Sequence, residues 1–291
     1  MRLVELVVGE KEALLPLHAL LRDRMGMPRR LLRRLWTEGA VLVDGQSALP
    51  WQRPRPGAFI EVHWNPPPAS GAEDLPLSVV WEDEDVLVVD KPAGMVCHPT
   101  HGVGSGTLAG ALKQHCGAAH LVQRLDRETS GLLLAARHPW AAARLGEAMA
   151  RRTIRRQYLA LVQGTRASWP QIIEAPIGRN PETGDRRVDP TGQSALTRIM
   201  ADEACEGGTW LRLALETGRT HQIRVHLAHL GHPVVGDPRY GSGRACTRMA
   251  LHAAHLVFLH PRTAAWVTIS APWPCDLPSE PTVGRELQPY A

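Results

Sequence analysis

The chain has 291 residues, 44% of them hydrophobic, and a formal net charge of +4. That length suits two domains, one small and one large, with apolar residues enough for a sizeable core. No run of about 18 apolar residues occurs, so no membrane-spanning helix is expected, and Met1 to Glu12 lacks the basic-then-apolar pattern of a signal peptide.

Leu14 to Met25 carries apolar residues at helical spacing: Leu14, Leu17, Leu20, Leu21 and Met25. Gly26-Met27-Pro28 ends that helix, and Pro28 suits the first turn of a second over Arg29 to Glu38. Its apolar face is Leu31, Leu32, Leu35 and Trp36, and Gly39 is placed as its C-terminal cap. Ala40 to Gly45 reads as a strand and tight turn, and Ala58 to Val62 as another strand. The second helix also bears Arg29, Arg30, Arg33 and Arg34. The pairs Arg29/Arg33 and Arg30/Arg34 each share a helical face. Like charges this close repel, and a polyanion relieves the repulsion; a solvated charged face is the alternative.

Asn65 to Asp74 contains three successive prolines and is the clearest linker. The expected organisation is a small domain over 1–64, a Pro-rich linker over 65–75 and a large domain over 76–291. Within the large domain, Val79 to Trp81 and Val86 to Val89 read as a hairpin. Helices are expected near Thr107 to His115, Trp140 to Arg151 and Thr220 to Leu230. Strands are expected at Ile154 to Val162, Ser194 to Met200, Thr209 to Glu216 and Ala265 to Ser270. Asn180 to Gly192 reads as a loop. The fold class is α+β, with a large, mostly antiparallel sheet.

Chemistry concentrates at residues 122–136, Val-Gln-Arg-Leu-Asp-Arg-Glu-Thr-Ser-Gly-Leu-Leu-Leu-Ala-Ala. Asp126 stands between Arg124 and Arg127, on a loop at the mouth of a buried strand that begins near Leu132. Flanking arginines would keep the carboxylate ionised and attract a polyanion. An ordinary surface ion pair on a turn fits the charge pattern as well. Only Lys11, Lys91 and Lys113 are lysines, so the basic residues are nearly all arginine, whose planar fork suits phosphate. The five cysteines, Cys97, Cys116, Cys205, Cys246 and Cys275, form no Cys-x-x-Cys pair, which argues against a disulfide framework and for a cytoplasmic protein. His226, His229 and His232 lie three apart, yet no acidic or Cys ligand accompanies them at a recognised spacing, so no metal is expected.

The 122–136 segment resembles the signature of the RluA-type pseudouridine synthases. Three further segments resemble the same family in the same order: Val89 to Pro99, Thr217 to Leu227 and Leu251 to Pro261. Together they span about residues 77–272. The first 64 residues resemble the alpha-L RNA-binding fold of a small-subunit ribosomal protein. The resemblance implies the pseudouridine synthase fold, a large mixed sheet with a central cleft, and isomerisation of uridine to pseudouridine in RNA. It implies Asp126 as the catalytic carboxylate, Arg224 as its cationic partner and Tyr158 against the uracil, with no cofactor. The target uridine must leave its stack, and Arg124 could fill the space it vacates. Arg127 is counted among the RNA contacts, and Ile223 is expected at the pocket wall. Gln123 stands where the family usually has histidine, which puts its RNA contacts in question. Gly131 and Gly218 are expected at tight turns. The resemblance implies RNA as the partner, with large-subunit ribosomal RNA favoured and transfer RNA open, and a monomer is the default expectation. A non-catalytic RNA-binding or ribosome-assembly protein retaining the fold is the rival reading.

Overall fold

A computed structural model describes residues 1–66, 69–100, 102–117, 120–241 and 246–285. Pro67 and Pro68 of the expected linker lie outside those residues.

The N-terminal part builds its own antiparallel sheet, ordered Arg2–Val7, Phe59–His63, Val41–Val43, Gln46–Ser47. Two helices, Leu17–Asp23 and Arg29–Thr37, bury Leu17, Leu20, Leu21, Leu31, Leu32 and Leu35 in a core shared with that sheet. The first helix is shorter than its apolar spacing predicts. Pro16 is its N-cap, which leaves Leu14 69% exposed ahead of it. Gly39 takes a positive φ of 65° after the second helix, as its cap role requires, and Ala40 N–H returns to the Leu35 carbonyl at 2.8 Å. Strand Arg2–Val7 was not anticipated, because its alternation is interrupted by Glu5 and it pairs with Phe59–His63 from the far end of the module.

The large part is a mixed sheet of ten strands. Its main path runs Ile172–Glu174, Leu196–Cys205, Gly208–Leu215, Arg155–Gln163, Leu251–Leu259, Ser130–Ala136, Val86–Lys91, Ser78–Glu82. Trp266–Ser270 pairs with Leu251–Leu259, and His120–Leu121 with Ser130–Ala136. Among the described strands of this sheet, every pairing is antiparallel except one: Ser130 and Gly131 lie parallel to His252 and Ala253. Strand Ser130–Ala136 is buried on both faces, as its unbroken apolar run requires. Leu133 and Ala135 enter one core, and Leu132, Leu134 and Ala136 another. Each such leucine contributes about 2 kcal/mol of hydrophobic stabilisation. Helices Leu108–Cys116, Pro139–Ala150 and Gln222–His229 lie close to their expected spans.

Two expectations need correction. The segment read as a loop over 180–192 contains a strand, Arg186–Val188, which pairs with Ile177–Arg179; three-residue strands are too short to show alternation. Neither expected turn glycine sits at a tight turn for the reason given. Gly131 has φ 110°, but it lies at the start of a strand, where a Cβ would run into the Ala253 backbone. Gly218 has no left-handed backbone; a Cβ there would lie 3.3 Å from Arg156 Nη1.

Candidate active site

The loop after Leu121 is fixed by atoms far along the chain. Cys97 Sγ donates to the Leu125 carbonyl at 3.2 Å and accepts from Leu125 N–H at 3.4 Å. Lys91, fully buried, donates its ammonium to the carbonyls of Pro92 and Met95, each at 2.8 Å, and of Arg127 at 3.2 Å. Burial lowers the Lys91 pKa to about 8. Thr129 N–H closes the turn on the Asp126 carbonyl at 3.2 Å. The Asp126 side chain, 24% exposed, emerges from this loop into a cavity of about 850 Å³.

Helix Gln222–His229 brings the cation. Arg224, its side chain 2% exposed, donates from Nη1 to Asp126 Oδ2 at 3.2 Å. Its other edge makes a two-pronged contact with Asp237: Nε to Oδ2 at 2.7 Å and Nη2 to Oδ1 at 2.8 Å. Asp237 is fully buried, and its Oδ1 also accepts from the Arg239 and Tyr240 backbone N–H groups at 2.9 and 3.1 Å. Burial would raise the Asp237 carboxyl, but the guanidinium and those N–H groups hold it below its ordinary value. Burial alone would lower Arg224, yet its two carboxylates raise it.

The flanking arginines do not do this work. Arg124 and Arg127 are exposed, and Arg127 Nε donates to the Gly94 carbonyl at 3.1 Å. The counter-charge for Asp126 comes from nearly a hundred positions away in sequence (98). Sequence reasoning missed Asp237 altogether, since it lies outside the four motif segments. The available clue was that a buried arginine needs more acceptors than one half-exposed carboxylate supplies.

Tyr158, 4% exposed, reaches the same cavity from strand Arg155–Gln163, next to Leu251–Leu259. Burial raises its pKa, so its hydroxyl stays protonated at neutral pH. Ile223, 4% exposed, lines the cavity wall. Gln123 also lines it but is mostly buried: its amide nitrogen donates to the Leu132 carbonyl at 3.4 Å, and its Oε1 has no partner among the described residues.

His221 caps the helix with φ 58°, a left-handed conformation. Its Nδ1 pairs with the Tyr240 hydroxyl at 2.9 Å and its Nε2 lies 4.0 Å from Asp126. The Tyr240 ring lies 5.2 Å from the Arg224 guanidinium carbon. Gln222 closes the preceding loop by accepting from Thr217 Oγ1 and Arg219 N–H, at 2.7 and 3.0 Å. The other histidines are dispersed. His226 uses both ring nitrogens, on Thr197 and Ala175, and His232 meets the Gln163 carbonyl. Asp83, Asp85 and His260 form a three-ligand group, but Asp85 is already paired with Arg262 and His138.

Of the N-terminal arginines, Arg29, Arg30 and Arg33 face solvent. Arg34 is tied down: it pairs with Glu38 at 2.6 Å, donates to the Asn65 carbonyl at 3.2 Å and stacks on Trp64 at 4.2 Å.

The arrangement places the Asp126 carboxylate in a cavity that Glu216 also lines, against a buried guanidinium held from behind by a second carboxylate, Asp237. Such a group can attack or deprotonate a bound molecule without a metal.

Residues 85–229 match the family of RNA pseudouridylate synthases. An RNA pseudouridine synthase of Chloroflexus aurantiacus is 44% identical over 279 residues, 91% of this chain and 87% of the relative. The ribosomal large subunit pseudouridine synthase D of Xanthomonas campestris is 41% identical over 265 residues, 82% of this chain and 79% of the relative. Among solved structures, human RNA pseudouridylate synthase domain containing 1 aligns with a TM-score of 0.56 at 30% identity, over 72% of this chain and 87% of that one.

Proposed function

The chain belongs to the RNA pseudouridine synthases, isomerases with this mixed-sheet fold, and on that footing we propose large-subunit ribosomal RNA as its substrate and Asp126, Arg224 and Tyr158 as its catalytic machinery. The observation that carries this reading is the 3.2 Å contact between half-exposed Asp126 and buried Arg224 on the cavity floor. The substrate class rests on the relatives named for the large subunit.

The bond from ribose carbon 1 to nitrogen 1 of uracil breaks, and a bond from ribose carbon 1 to carbon 5 forms. Carbon 5 loses a proton and nitrogen 1 gains one, so the reaction balances without an oxidant, reductant or added group. Asp126 acts on the sugar as nucleophile or base. Arg224 holds its carboxylate in place. The Tyr158 ring packs against the detached base, and its neutral hydroxyl relays the proton lost by carbon 5, taking it up as its own passes on toward nitrogen 1. Flipping the uridine into the cavity costs a few kcal/mol of lost stacking. Exposed Arg124 fills the gap left in the RNA, and Arg127 contacts phosphate at the rim. Arg29, Arg30 and Arg33 meet the RNA backbone outside the cavity.

The test is pseudouridine mapping across total RNA from cells with and without the gene, complemented by wild type or by Asp126→Asn. A large-subunit site that disappears on deletion and returns with wild type alone is expected. A site in transfer RNA instead would replace the substrate. Full complementation by Asp126→Asn would remove Asp126 from the mechanism.

A further inference from the structure

The chain joining the two sheets is not a free tether. Glu73 reaches helix Leu108–Cys116: one carboxylate oxygen accepts from Gly106 N–H, and the other from the Thr107 hydroxyl at 3.0 Å. Glu73 N–H donates to the Gly110 carbonyl at 3.0 Å, and Lys113 Nζ donates to the Ser70 carbonyl at 2.9 Å. Gly110 permits the approach, since a side chain there would run into Glu73. Ser70 and Glu73 thus tie their end of the linker to that helix.

A second set of contacts joins the two parts directly. Trp140, on helix Pro139–Ala150 of the large part, is 3% exposed and buried in the core of the N-terminal part. Its indole N–H donates to the Met25 carbonyl at 2.6 Å. His138 stacks beside it at 5.9 Å, and the Arg262 guanidinium lies 5.3 Å over its ring. Arg262 bridges the parts, donating to the Leu3 carbonyl at 2.7 Å and to Asp85 at 2.7 and 2.5 Å. Asp85, 1% exposed, also pairs with His138 at 2.8 Å.

A buried aromatic side chain from one part set in the core of the other is the kind of contact that dominates an interface, and a buried ion network resists sliding because each slip leaves a charge unpaired. Two linked binding sites engage one ligand together only where their separation matches its shape.

We propose that Trp140 and the Asp85–His138–Arg262 network lock the N-terminal part at one offset from the cavity, and that this fixed offset selects which uridine is modified. These are positioning residues that set specificity without touching the reacting base. The second half of the proposal rests on the reading that Arg29, Arg30 and Arg33 bind RNA; the first half does not.

The experiment uses the full chain and its Trp140→Ala and Trp140→Phe variants. Spin labels on unnatural amino acids at exposed Ser47 and Glu174 report the separation of the two parts without RNA. A narrow distance distribution in wild type, broadened by Trp140→Ala and restored by Trp140→Phe, is expected. An equally broad distribution in wild type overturns the lock. The same proteins are then given two RNAs: a full transcript of large-subunit ribosomal RNA, and a short stem-loop cut around the mapped uridine. Trp140→Ala should retain wild-type conversion of the stem-loop, while conversion of the full transcript falls by about tenfold or more and spreads to other uridines. Equal loss on both RNAs, or unchanged selectivity despite a broadened distribution, overturns the role in specificity. Unchanged full-transcript conversion by the charge-reversed variant Arg29→Glu/Arg30→Glu/Arg33→Glu would instead remove the underlying reading of the basic helix and leave the lock standing.

Discussion

Arg224 belongs to Asp237 before it belongs to Asp126: it gives Asp237 two hydrogen bonds of 2.7 and 2.8 Å, and Asp126 one of 3.2 Å. The guanidinium is therefore held mainly inside the protein, and its outer edge is shared by Asp126 at 3.2 Å and Glu128 at 3.7 Å. A single longer contact orients the Asp126 carboxylate toward the cavity.

Replacing Asp237 upsets the balance. In Asp237→Asn the buried cation has Asp126 as its main counter-ion and draws it closer. Stability should fall by about 3 kcal/mol, the usual cost of breaking a buried pair from one side. Turnover should fall more than RNA affinity, because the proposed reacting group, Asp126, is restrained while the exposed arginines are untouched. Urea unfolding and single-turnover conversion check both. Wild-type stability with wild-type turnover would contradict this account of Asp237.

Tyr158→Phe separates the ring from its hydroxyl. The ring stays buried on its strand, where Tyr158 is paired with Leu213 and Ala253, so stability should change by less than about 1 kcal/mol. Conversion should fall by about a hundredfold if the hydroxyl handles a proton. A full-rate Phe variant would reduce Tyr158 to a stacking surface.

Asp85 gives the fold a pH signature. Burial would raise its carboxyl, but His138 and Arg262 bring it down to about 2 from the ordinary 3.8. As pH falls, the unfolded chain takes up this proton first, so the folded state loses its advantage between about pH 4 and pH 2. The shift corresponds to about 2 kcal/mol, fully present above that window. Urea unfolding in pH steps should show this loss in wild type, and a flatter profile over the same window in Asp85→Asn. Parallel profiles for the two proteins would rule out Asp85 as the source.

Gly131→Ala and Gly146→Ala should move stability in opposite directions. At Gly131 both the φ of 110° and the Ala253 backbone oppose a side chain, and the cost should be about 3 kcal/mol. Gly146 lies exposed within helix Pro139–Ala150 with open space around it, so alanine should stabilise by up to about 1 kcal/mol. Urea midpoints of the two variants make the comparison. A tolerated alanine at Gly131 would show that the strands can part there.

Most regular elements of the large part were legible because their apolar periods are strong: Ser130–Ala136 as an unbroken run, Pro139–Ala150 and Gln222–His229 as helices. The strand at Leu251–Leu259 was noticed only as a motif, because histidines at 252 and 255 obscure its apolar character; both are buried through hydrogen bonds to Ser130, Ser270 and Gly284. Asp126 and Tyr158 stood out by motif resemblance. The partner of Arg224 did not, since nothing local to Asp237 distinguishes it from a turn acid. Lys91 was likewise quoted within a motif without a role, because three backbone carbonyls converge on it only once the loops have closed. Charge adjacency misled at Arg124 and Arg127, because neighbours along a loop diverge; the neighbour of Asp126 is Arg224, which the family resemblance and not the local charge pattern had named.

Strand Leu251–Leu259 lies between the strand that follows Asp126 and the strand that bears Tyr158, so it sets the spacing of the two groups. Its parallel seam with Ser130 and Gly131 closes over 122 positions of chain, a slow kind of closure because the intervening loop must be ordered first. The spacing of Asp126 and Tyr158, the groups proposed to act on the uridine, is therefore fixed by a long-range closure and not by local structure. The geometry of the proposed site thus depends on one seam between residues far apart along the chain, and a chain in which that seam is open lacks the separation that places Asp126 and Tyr158 in one cavity.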